Sequence, residues 1–589
     1  MAMCGIAGIF GPNGDDSALA YSMASMLNHR GPDGIQSWSE SCEYGGIGLG
    51  HTRLSIVDVA GSTQPLHSDN GCVLVMNGEI YNHNRIRNEE RGYPFRTKGD
   101  GESILATYAA RQDDVTWVQR LDGIWSFALW DTKRSVLILC RDRLGVKPLV
   151  RTQTSDGNLL FGSEAKSLRV YPRYTPSIDL NALVARIAFE YPLDETTLFE
   201  DVYSVEPGTV ETWSLTESGA TLLHSKRWAS QFRSNPGLSW NPAEDASTLL
   251  ESLTSSVADR LMSDVPLGIV LSGGLDSAMV AAISDEASRR TGYPLPACWT
   301  VAESEENPDW KAAELVCQAL DLEHHQYVLE DNAFDKSLPN LSWHGEDLDV
   351  TVLFFQPLFS TMSKSVKVGL CGQGADELHA GYPRYRDLES HQRLIHSRLD
   401  ACEHPFANRL REGVIDKSGW RGEHNPSTAF SDLQSTLDYE VNHGQLTNFQ
   451  LRLVDRHSMA HGLEVRVPFL GQSHVQASSM LPMTWKLPNH TEKAALRAAA
   501  NLTRLPKEIV TRPKMPAGRA TSPTMIDNLL TELHGHALEY ANDIPELSGM
   551  FKGQPEISLG LRLFRSMHIT DGGLGRDGKD LMTLLEDVG

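Results

Sequence analysis

The sequence predicts two domains, an N-terminal α+β domain of layered sheets with covering helices and a C-terminal α/β domain that has a helical end. Short β-branched runs broken by turn residues fill roughly the first 200 residues. From Pro242 onward, strand and helix patterns alternate, which is typical of a parallel sheet covered on both faces. A chain of 589 residues is also too long for one hydrophobic core.

The elements of the first domain follow from local patterns. Runs of β-formers predict strands at 47–50, 54–59, 72–76, 126–130 and 136–140. Helical periodicity is found at 18–27 and 102–110. The turn signals Asp33-Gly34, Asn77-Gly78 and Asp122-Gly123 fall between or beside the strands. We assign residues 3–210 to this domain.

A stretch rich in Ser, Thr, Gly and Trp at 211–241 is predicted to be a connector. The second domain is assigned to 242–530, with helices at 243–261, 277–287 and 311–320 and strands at 268–271, 296–301 and 366–371. The remaining residues, 531–589, are predicted to form a helical C-terminal extension with a Gly-rich break at 572–578.

Composition excludes several classes of function. The formal net charge is −23, from 53 basic and 76 acidic residues, which argues against nucleic acid or an anionic membrane as partner. The eight cysteines form no CxxC pair, so neither a disulfide framework nor a zinc site is expected. Neither a membrane span nor a secretion signal is found, and we expect a cytoplasmic protein.

The strongest local signal is the run 268–277, GIVLSGGLDS, in which an apolar strand leads through a Ser/Gly turn into a helix. Such a turn directs several backbone N–H groups at one point, which suits a phosphate. Ser272 and Ser277 supply hydroxyl donors, and Asp276 can hold Mg²⁺. The P-loop pattern GxxxxGK[ST] is absent. For this run alone, a plain strand–turn–helix with a serine cap remains open.

Segment 272–277 resembles the pyrophosphatase loop of the ATP-pyrophosphatase superfamily, whose members cleave ATP between its α and β phosphates. Runs 374–382, 454–470 and 512–514 resemble, in the same order, motifs of glutamine-hydrolysing asparagine synthetases. The resemblance implies that Asp276 and Asp376 hold Mg²⁺ and that Lys514 stabilises the adenylate chemistry. It also implies a set of ATP-binding residues, Leu271, Ser272, Gly273, Gly274, Asp276, Ser277 and Gly372.

The near-terminal Cys4-Gly5-Ile6 resembles the class II glutamine amidotransferases, which have the four-layer αββα fold of the N-terminal nucleophile hydrolases. In that family the thiol attacks glutamine and the α-amine of the same residue is the base. By resemblance, Asn77 and Gly78 are the oxyanion donors. The residues implied to bind glutamine are Arg53, which clamps the carboxylate, and Asp100 with Glu79, which take the ammonium.

Three residues precede this cysteine, so its amine would be locked in an amide. We therefore expect translation to start at Met3, or further trimming to occur, in the active protein.

The synthetase half departs from its family around the acceptor site. The family reads Ser-Gly-Glu-Gly where this chain has Cys371-Gly372-Gln373-Gly374, and glutamine cannot act as a base at neutral pH. An ungapped alignment from Pro357 puts Leu353 and Phe354 where the family has polar groups that hold aspartate. An apolar wall would leave the charges of aspartate unpaired, which costs several kcal/mol if they are buried.

Together these features predict a carbon–nitrogen ligase that hydrolyses glutamine or a similar amide, forms AMP and pyrophosphate, and aminates a natural-product acid rather than aspartate. A nucleophile that arrives neutral, such as hydroxylamine, would give a hydroxamate. The resemblance also implies a homodimer, which no feature of the sequence itself indicates. True asparagine synthesis, neutral drift at the acceptor positions, a cyclase of the β-lactam synthetase type and a silent binding protein are the alternatives.

Overall fold

The computed structural model describes residues 4–111, 113–237, 239–330, 333–412, 429–515, 521, 523–573, 576 and 579–588. Two six-stranded antiparallel sheets form its N-terminal part. Their strands are β1 Cys4–Gly11, β2 Gly34–Cys42, β3 Gly45–Arg53, β4 Leu66–His67, β5 Cys72–Ile80, β6 Gly123–Asp131, β7 Val136–Arg141, β8 Val150–Gln153, β9 Leu159–Gly162, β10 Tyr203–Ser204, β11 Thr209–Thr216 and β12 Gly219–Arg227. The helices here are α1 Ser17–Ser25, α2 His83–Glu89, α3 Glu102–Ala109 and α4 Leu180–Phe189.

The first sheet has the order β10-β8-β9-β1-β3-β2 and the second β12-β11-β7-β6-β5-β4. Alternation along the strands sends one set of side chains between the sheets and the other set outward. In β1, Ile6 and Phe10 join the core between the sheets, whereas Ala7 and Ile9 pack with Met23 of α1. The outer face of β5 packs similarly on α3. These are the four αββα layers that the resemblance implies, and that prediction is confirmed.

Three local predictions in this part were wrong. Asn77-Gly78 is not a turn, because both residues lie inside β5 and pair with β6. Segment 54–59 is not a strand. The first half of the predicted connector at 211–241 is not a linker, because β11 and β12 extend the second sheet through Arg227. Composition alone hides this, since Ser and Thr suit a half-exposed edge strand as well as a loop.

A five-stranded parallel sheet, in the order β15-β14-β13-β16-β17, forms the centre of the second part. Its strands are β13 Leu267–Val270, β14 Ala297–Ala302, β15 His324–Val328, β16 Val368–Leu370 and β17 Glu464–Arg466. The helices are α5 Pro242–Arg260, α6 Leu275–Thr291, α7 Pro308–Leu320, α8 Ala333–Gly345, α9 Phe355–Met362, α10 Ala375–His379, α11 Leu388–Asp400, α12 Pro405–Glu412, α13 Leu433–Asn442, α14 Leu451–Met459, α15 Gln472–Ser479, α16 Met483–Lys486, α17 Ala494–Ala500, α18 Lys507–Thr511, α19 Pro523–Glu532, α20 His534–Tyr540, α21 Ser548–Gly553, α22 Pro555–Phe564 and α23 Leu581–Glu586.

The parallel sheet and its flanking helices confirm the predicted second fold class. Because the carboxyl ends of parallel strands meet at one edge, the loops after β13 and β16 lie side by side. Gly372, in the loop after β16, lies directly against Asp276 and Ser277. Helices α20–α23 occupy the predicted C-terminal extension, and part of the Gly-rich break lies outside the described residues. Within the described part of the chain, every helix is too short or too polar to cross a bilayer.

Candidate active sites

Cys4 lies at the start of β1, between the two sheets of the first domain. Its side chain is fully buried. Arg53 is its direct partner in the register of β1 and β3, and the backbone N–H of Cys4 donates to Asn77 Oδ1 across to the second sheet, at 3.2 Å. Sheet geometry therefore brings together a thiol, an arginine and an amide that are far apart in sequence.

Asn77 and Gly78, the predicted oxyanion donors, lie next to each other in β5. The side-chain Nδ2 of Asn77 is buried and has no hydrogen-bond partner among the described residues. A buried donor without an acceptor lowers the stability of the folded state unless a bound ligand accepts its hydrogen bond. At Gly78 φ is +135°, and a Cβ there would lie 2.0 Å from the carbonyl oxygen of Ile124, so only glycine fits. Both residues have the properties that the predicted oxyanion donors require.

The predicted glutamine-binding residues surround this point. Arg53 uses Nη2 to donate to the carbonyls of Asp58 and Val59, and its Nε remains without a partner in the described structure. Asp100 accepts a hydrogen bond from the N–H of Ile80 at 2.7 Å. Neither carboxylate oxygen of Glu79 has a hydrogen-bond partner in the described structure. Arg53 and Glu79 thus lie near the Cys4 thiol, and Asp100 lies near Glu79.

Burial raises the pKa of the Cys4 thiol well above its ordinary value. Burial, followed by repulsion from Asp100 and Glu464, likewise raises the pKa of Glu79. The resting thiol is therefore neutral and needs a base to become a nucleophile. Residues 1–3, on which the predicted processing falls, lie outside the described residues.

The phosphate loop joins β13 to α6. Ser272 donates its backbone N–H to Ser277 Oγ at 3.1 Å, and the two hydroxyls also lie 3.1 Å apart. Arg512 holds the outer side of the loop by donating to the carbonyl of Gly273 at 2.9 Å. Ser272, Gly274 and Asp276 border a small cavity of about 50 Å³, whereas Leu271 is buried in the core behind it.

Two lysines and two aspartates form a charge cluster beside this cavity. Lys493 Nζ lies 2.6 Å from both Asp276 and Asp376, and Lys514 Nζ lies 2.7 Å from Asp376. Burial alone would raise the pKa of Asp376, but the two lysines lower it to about 2. Conversely, the two aspartates raise the pKa of Lys514 against the effect of burial. Asp376 and Lys514 are therefore both charged at neutral pH.

Lys514 borders two cavities. One is the small cavity at the phosphate loop, and the other is a cavity of about 500 Å³ that also touches Gln373 and Asp376. Phe354 lines the large cavity as predicted. Leu353 does not, because it is fully buried in the core behind the wall, so the structure does not bring this predicted pocket residue to the acceptor side. Both residues lie in the turn that precedes α9, and their adjacent side chains point in different directions.

The comparisons with known proteins agree with this geometry. A family model described as a glutamine amidotransferase domain matches residues 3–226, and one described as asparagine synthase matches 248–548. The chain is 31% identical to a putative glutamine-hydrolysing asparagine synthetase of Mycobacterium tuberculosis, with 87% of each chain covered. It is 29% identical to asparagine synthetase 1 of Bacillus subtilis, over 87% of this chain and 86% of the relative. The chain belongs to the asparagine synthetase family.

This finding confirms the predicted resemblance and the predicted enzyme class, a glutamine-hydrolysing, ATP-dependent ligase that forms AMP and pyrophosphate. A solved structure, the glutamine phosphoribosylpyrophosphate amidotransferase of Bacillus subtilis, also matches, with 16% identity, a TM-score of 0.28, and coverage of 49% of this chain and 64% of that one. A likeness that weak carries no argument.

The structure adds a residue to the synthetase site that the sequence analysis did not single out. Lys493, which bridges the two aspartates, is the N-cap of α17 and lies in a segment that offers no distinctive motif. The structure also shows what Arg512 of the recognised run 512–514 contacts: it binds the phosphate loop and pairs with Asp309 at 2.7 Å. Lys493 lies between the recognised runs 454–470 and 512–514, so only the fold brings it to the site.

A buried polar cluster connects the two halves. Arg466 on β17 lies 3.9 Å from Glu79 and also pairs with Glu464, and the Tyr81 ring lies under Arg466 and Arg260 at 5.5 and 4.8 Å. Several polar atoms here are buried without a hydrogen-bond partner among the described residues, namely both Glu79 oxygens, Tyr81 Oη, Arg260 Nε, Glu464 Oε2 and Arg466 Nη2. Unpaired buried polar atoms of this kind are groups that a water or another small polar molecule would satisfy.

Proposed function

We propose that this chain is an ATP-dependent amidotransferase that takes nitrogen from glutamine, or from a glutamine-like amide, at Cys4. It transfers that nitrogen to a carboxylate that is activated as an acyl-adenylate beside Lys514. The acceptor is a carboxylic acid other than aspartate, with a larger and partly apolar body, of the kind found in natural-product biosynthesis. The product is an amide, or a hydroxamate where hydroxylamine supplies the nitrogen.

The proposed acceptor rests on one observation, the apolar side chains that line part of the large cavity next to Lys514. These side chains are Val352, Phe354, Phe355, Phe449 and Ile557. Burying the α-ammonium and α-carboxylate of aspartate against such a wall would cost several kcal/mol. The volume of about 500 Å³ also lies within the range of sites that enclose much larger ligands than an amino acid.

The arginines of the cavity do not restore an aspartate site, because each already has a carboxylate partner. The ion pairs are Arg186 with Asp347 (2.7 Å), Arg384 with Glu440 (3.1 Å) and Arg398 with Glu190 (3.3 Å). A buried guanidinium that is neutralised in this way gains little from a second carboxylate. The apolar wall therefore dominates recognition of the acceptor body.

At the glutaminase site the neutral Cys4 thiol attacks the amide carbon and transfers its proton to a base. The α-amine of the same residue is the base that the family resemblance supplies, once the preceding residues have been removed. The Asn77 Nδ2 and the N–H of Gly78 then stabilise the oxyanion, while Arg53, Asp100 and Glu79 hold the two ends of glutamine. The resulting ammonia crosses the polar cluster around Arg466 to reach the synthetase site. Arg466 is next to that site, because its backbone carbonyl accepts a hydrogen bond from the N–H of Cys371, at the start of the loop that carries Gln373.

At the synthetase site, Asp276 and Asp376 would hold Mg²⁺. Their chemistry fits this ion, since Mg²⁺ at phosphate sites is bound through one or two carboxylates together with the phosphates. When bound, Mg²⁺ would neutralise charge on the departing pyrophosphate. Lys493 and Lys514 hold the Asp376 carboxylate ionised, and Lys514 can stabilise charge on oxygens of the adenylate.

The nitrogen that attacks the adenylate must arrive neutral or lose a proton. Gln373 lines the cavity where the family has glutamate, and an amide side chain can donate or accept a hydrogen bond but cannot take the proton. A nucleophile with a low proton affinity, such as hydroxylamine, is therefore favoured over ammonium. Retention of the whole set around Cys4 argues against a cyclase that dispenses with glutamine.

Pyrophosphate release tests the proposal. Enzyme, ATP and Mg²⁺ are incubated with glutamine and one member of an acid panel, which contains aspartate, short aliphatic acids, aryl acids and polyketide-like acids. We expect release with one or more larger acids and at most slow release with aspartate. Fast, aspartate-selective release would refute the proposed acceptor.

A further inference from the structure

The large cavity has a wall that lies outside the part of the chain matched by the asparagine synthase model. That match ends at residue 548, yet Gln554, Glu556 and Ile557 border the cavity. These residues surround the start of helix α22. Arg186 and Glu190, from and just after α4 of the glutaminase domain, line the same cavity. The acceptor cavity is therefore built from three separate regions of the chain.

Helix α22 is firmly attached at both ends. At its start, Gln554 Nε2 donates to the carbonyl of Ile187 in α4, at 3.3 Å. At its end, Phe564 packs on Phe199, with ring centroids 5.0 Å apart. Its buried residues join the hydrophobic clusters of both halves of the molecule. A helix held in this way is a fixed wall.

Close backbone contact sets the distance between α22 and the rest of the cavity. A Cβ at Gly560 would lie 2.0 Å from the carbonyl oxygen of Leu348, so any larger residue forces the helix and this segment apart. Leu348 is followed closely in the chain by Val352 and Phe354, which line the cavity. The position of α22 and that of the opposite wall are thus coupled.

We propose that α22 is the specificity wall of the acceptor site and recognises the end of the acid remote from its reacting carboxylate. This proposal rests on the proposed function. Ile557, half-buried against the core, contacts the apolar body of the acceptor. Glu556 accepts a hydrogen bond from a donor group, an amine or hydroxyl, at the remote end. The substrate class is a carboxylic acid with an apolar body and a remote hydrogen-bond donor.

Glu556 is suited to this role because, among the described residues, it has neither an ion pair nor a hydrogen bond from a side chain. The arginine side chains Arg384 and Arg398 of the cavity already have ion-pair partners, namely Glu440 and Glu190. A half-buried carboxylate that borders a cavity attracts a cation or donor more strongly than one in open solvent. Glu556 also lies in the first turn of α22, where the helix dipole favours an acidic side chain.

Two substitutions at Ile557 test the wall in opposite directions. Initial rates of pyrophosphate release are measured for a graded series of straight-chain and aryl acids. The quantity compared is the ratio of kcat/KM for the largest accepted acid to kcat/KM for the smallest. Ile557→Trp fills the cavity and should lower this ratio by about tenfold or more. Ile557→Ala enlarges the cavity and should raise the ratio. Ile569→Ala is the matched control, because Ile569 packs against the same cluster but does not border the cavity. It should leave the ratio unchanged.

Glu556→Gln tests the donor group, with the exposed Glu539 of α20, changed to Gln, as its control. We expect the advantage of an ω-amino acid over the matched unsubstituted acid to fall about tenfold in the first variant and to persist in the second. Thermal melting of each variant checks that it is folded.

The two proposals fail in different ways. If the wild type activates larger acids but neither Ile557 variant moves the ratio, or Glu556→Gln keeps the amine advantage, the specificity wall is refuted and the proposed function stands. If the wild type activates aspartate alone, the proposed function is refuted. In that case the specificity wall is also refuted, with one exception. It stands if the Ile557 variants change the KM for aspartate and Ile569→Ala leaves that KM unchanged.

Discussion

Replacing Asn77 by alanine should remove most of the glutaminase activity and spare the synthetase. The Asn77 Nδ2 is a buried donor with no hydrogen-bond partner in the described structure, and the Oδ1 of the same amide accepts from the backbone N–H of Cys4. A donor aimed at a developing oxyanion contributes about 2.7–4 kcal/mol to the transition state, so kcat for glutamine hydrolysis should fall by about 10²–10³-fold. The lost ground-state bond from the Cys4 N–H to Asn77 adds only about 1 kcal/mol to stability.

Glutamate release measures the first reaction, and pyrophosphate release with ammonia in place of glutamine measures the second. Asn82→Ala is the matched control. Asn82 lies just after β5 and makes purely structural bonds, donating to the carbonyl of Arg120 at 2.8 Å and accepting from the N–H of Asp122 at 3.0 Å. It should lower thermal stability without changing kcat. An unchanged kcat in Asn77→Ala, or an equal loss in the ammonia-dependent reaction, would refute the oxyanion assignment.

Three further predictions concern the synthetase half. Lys493→Met removes the cation that bridges Asp276 and Asp376, so pyrophosphate release should fall about 10²-fold while glutaminase activity persists; equal loss of both would indicate misfolding instead. Gln373→Glu supplies a carboxylate base, so use of ammonia should rise relative to hydroxylamine, and an unchanged ratio would count against the role of this position. Lys486→Met should stabilise the protein by several kcal/mol near pH 7, because burial lowers the pKa of Lys486 to about 7 in the folded state, against about 10.4 unfolded. Between these two pKa values the unfolded chain binds one more proton than the folded chain, so the free energy of unfolding of the wild type should rise with pH from about 7 to about 10. Denaturant titrations at several pH values should show this rise in the wild type and not in Lys486→Met.

Much of the fold follows from local sequence. The run before Ser272 is apolar and β-branched, the loop is rich in Ser and Gly, and the next residues favour a helix, so strand, turn and helix were all predicted. The same local rules gave the wrong result at Asn77-Gly78. A dipeptide that favours turns lies inside β5, because pairing with β6 and burial override its propensity.

The sites were predicted to the extent that motifs carry them. Cys4 and Asn77, both named by the resemblance, are joined by a hydrogen bond, and the loops of Asp276 and Asp376 meet as parallel strands require. The roles of these residues stay predictions. The acceptor cavity was not predictable in the same way. Arg186 and Ile557 reach it from α4 and α22, which are remote in sequence and are brought there only by packing between domains.

The central claim is that nitrogen from glutamine reaches an acid other than aspartate. Its most direct test is mass spectrometry of a single reaction that contains the enzyme, ATP, Mg²⁺, glutamine with heavy nitrogen in its amide, and equal concentrations of aspartate and the panel acids. We predict that the heavy nitrogen appears in the amide of a larger, partly apolar acid. Heavy asparagine as the dominant product would contradict the account.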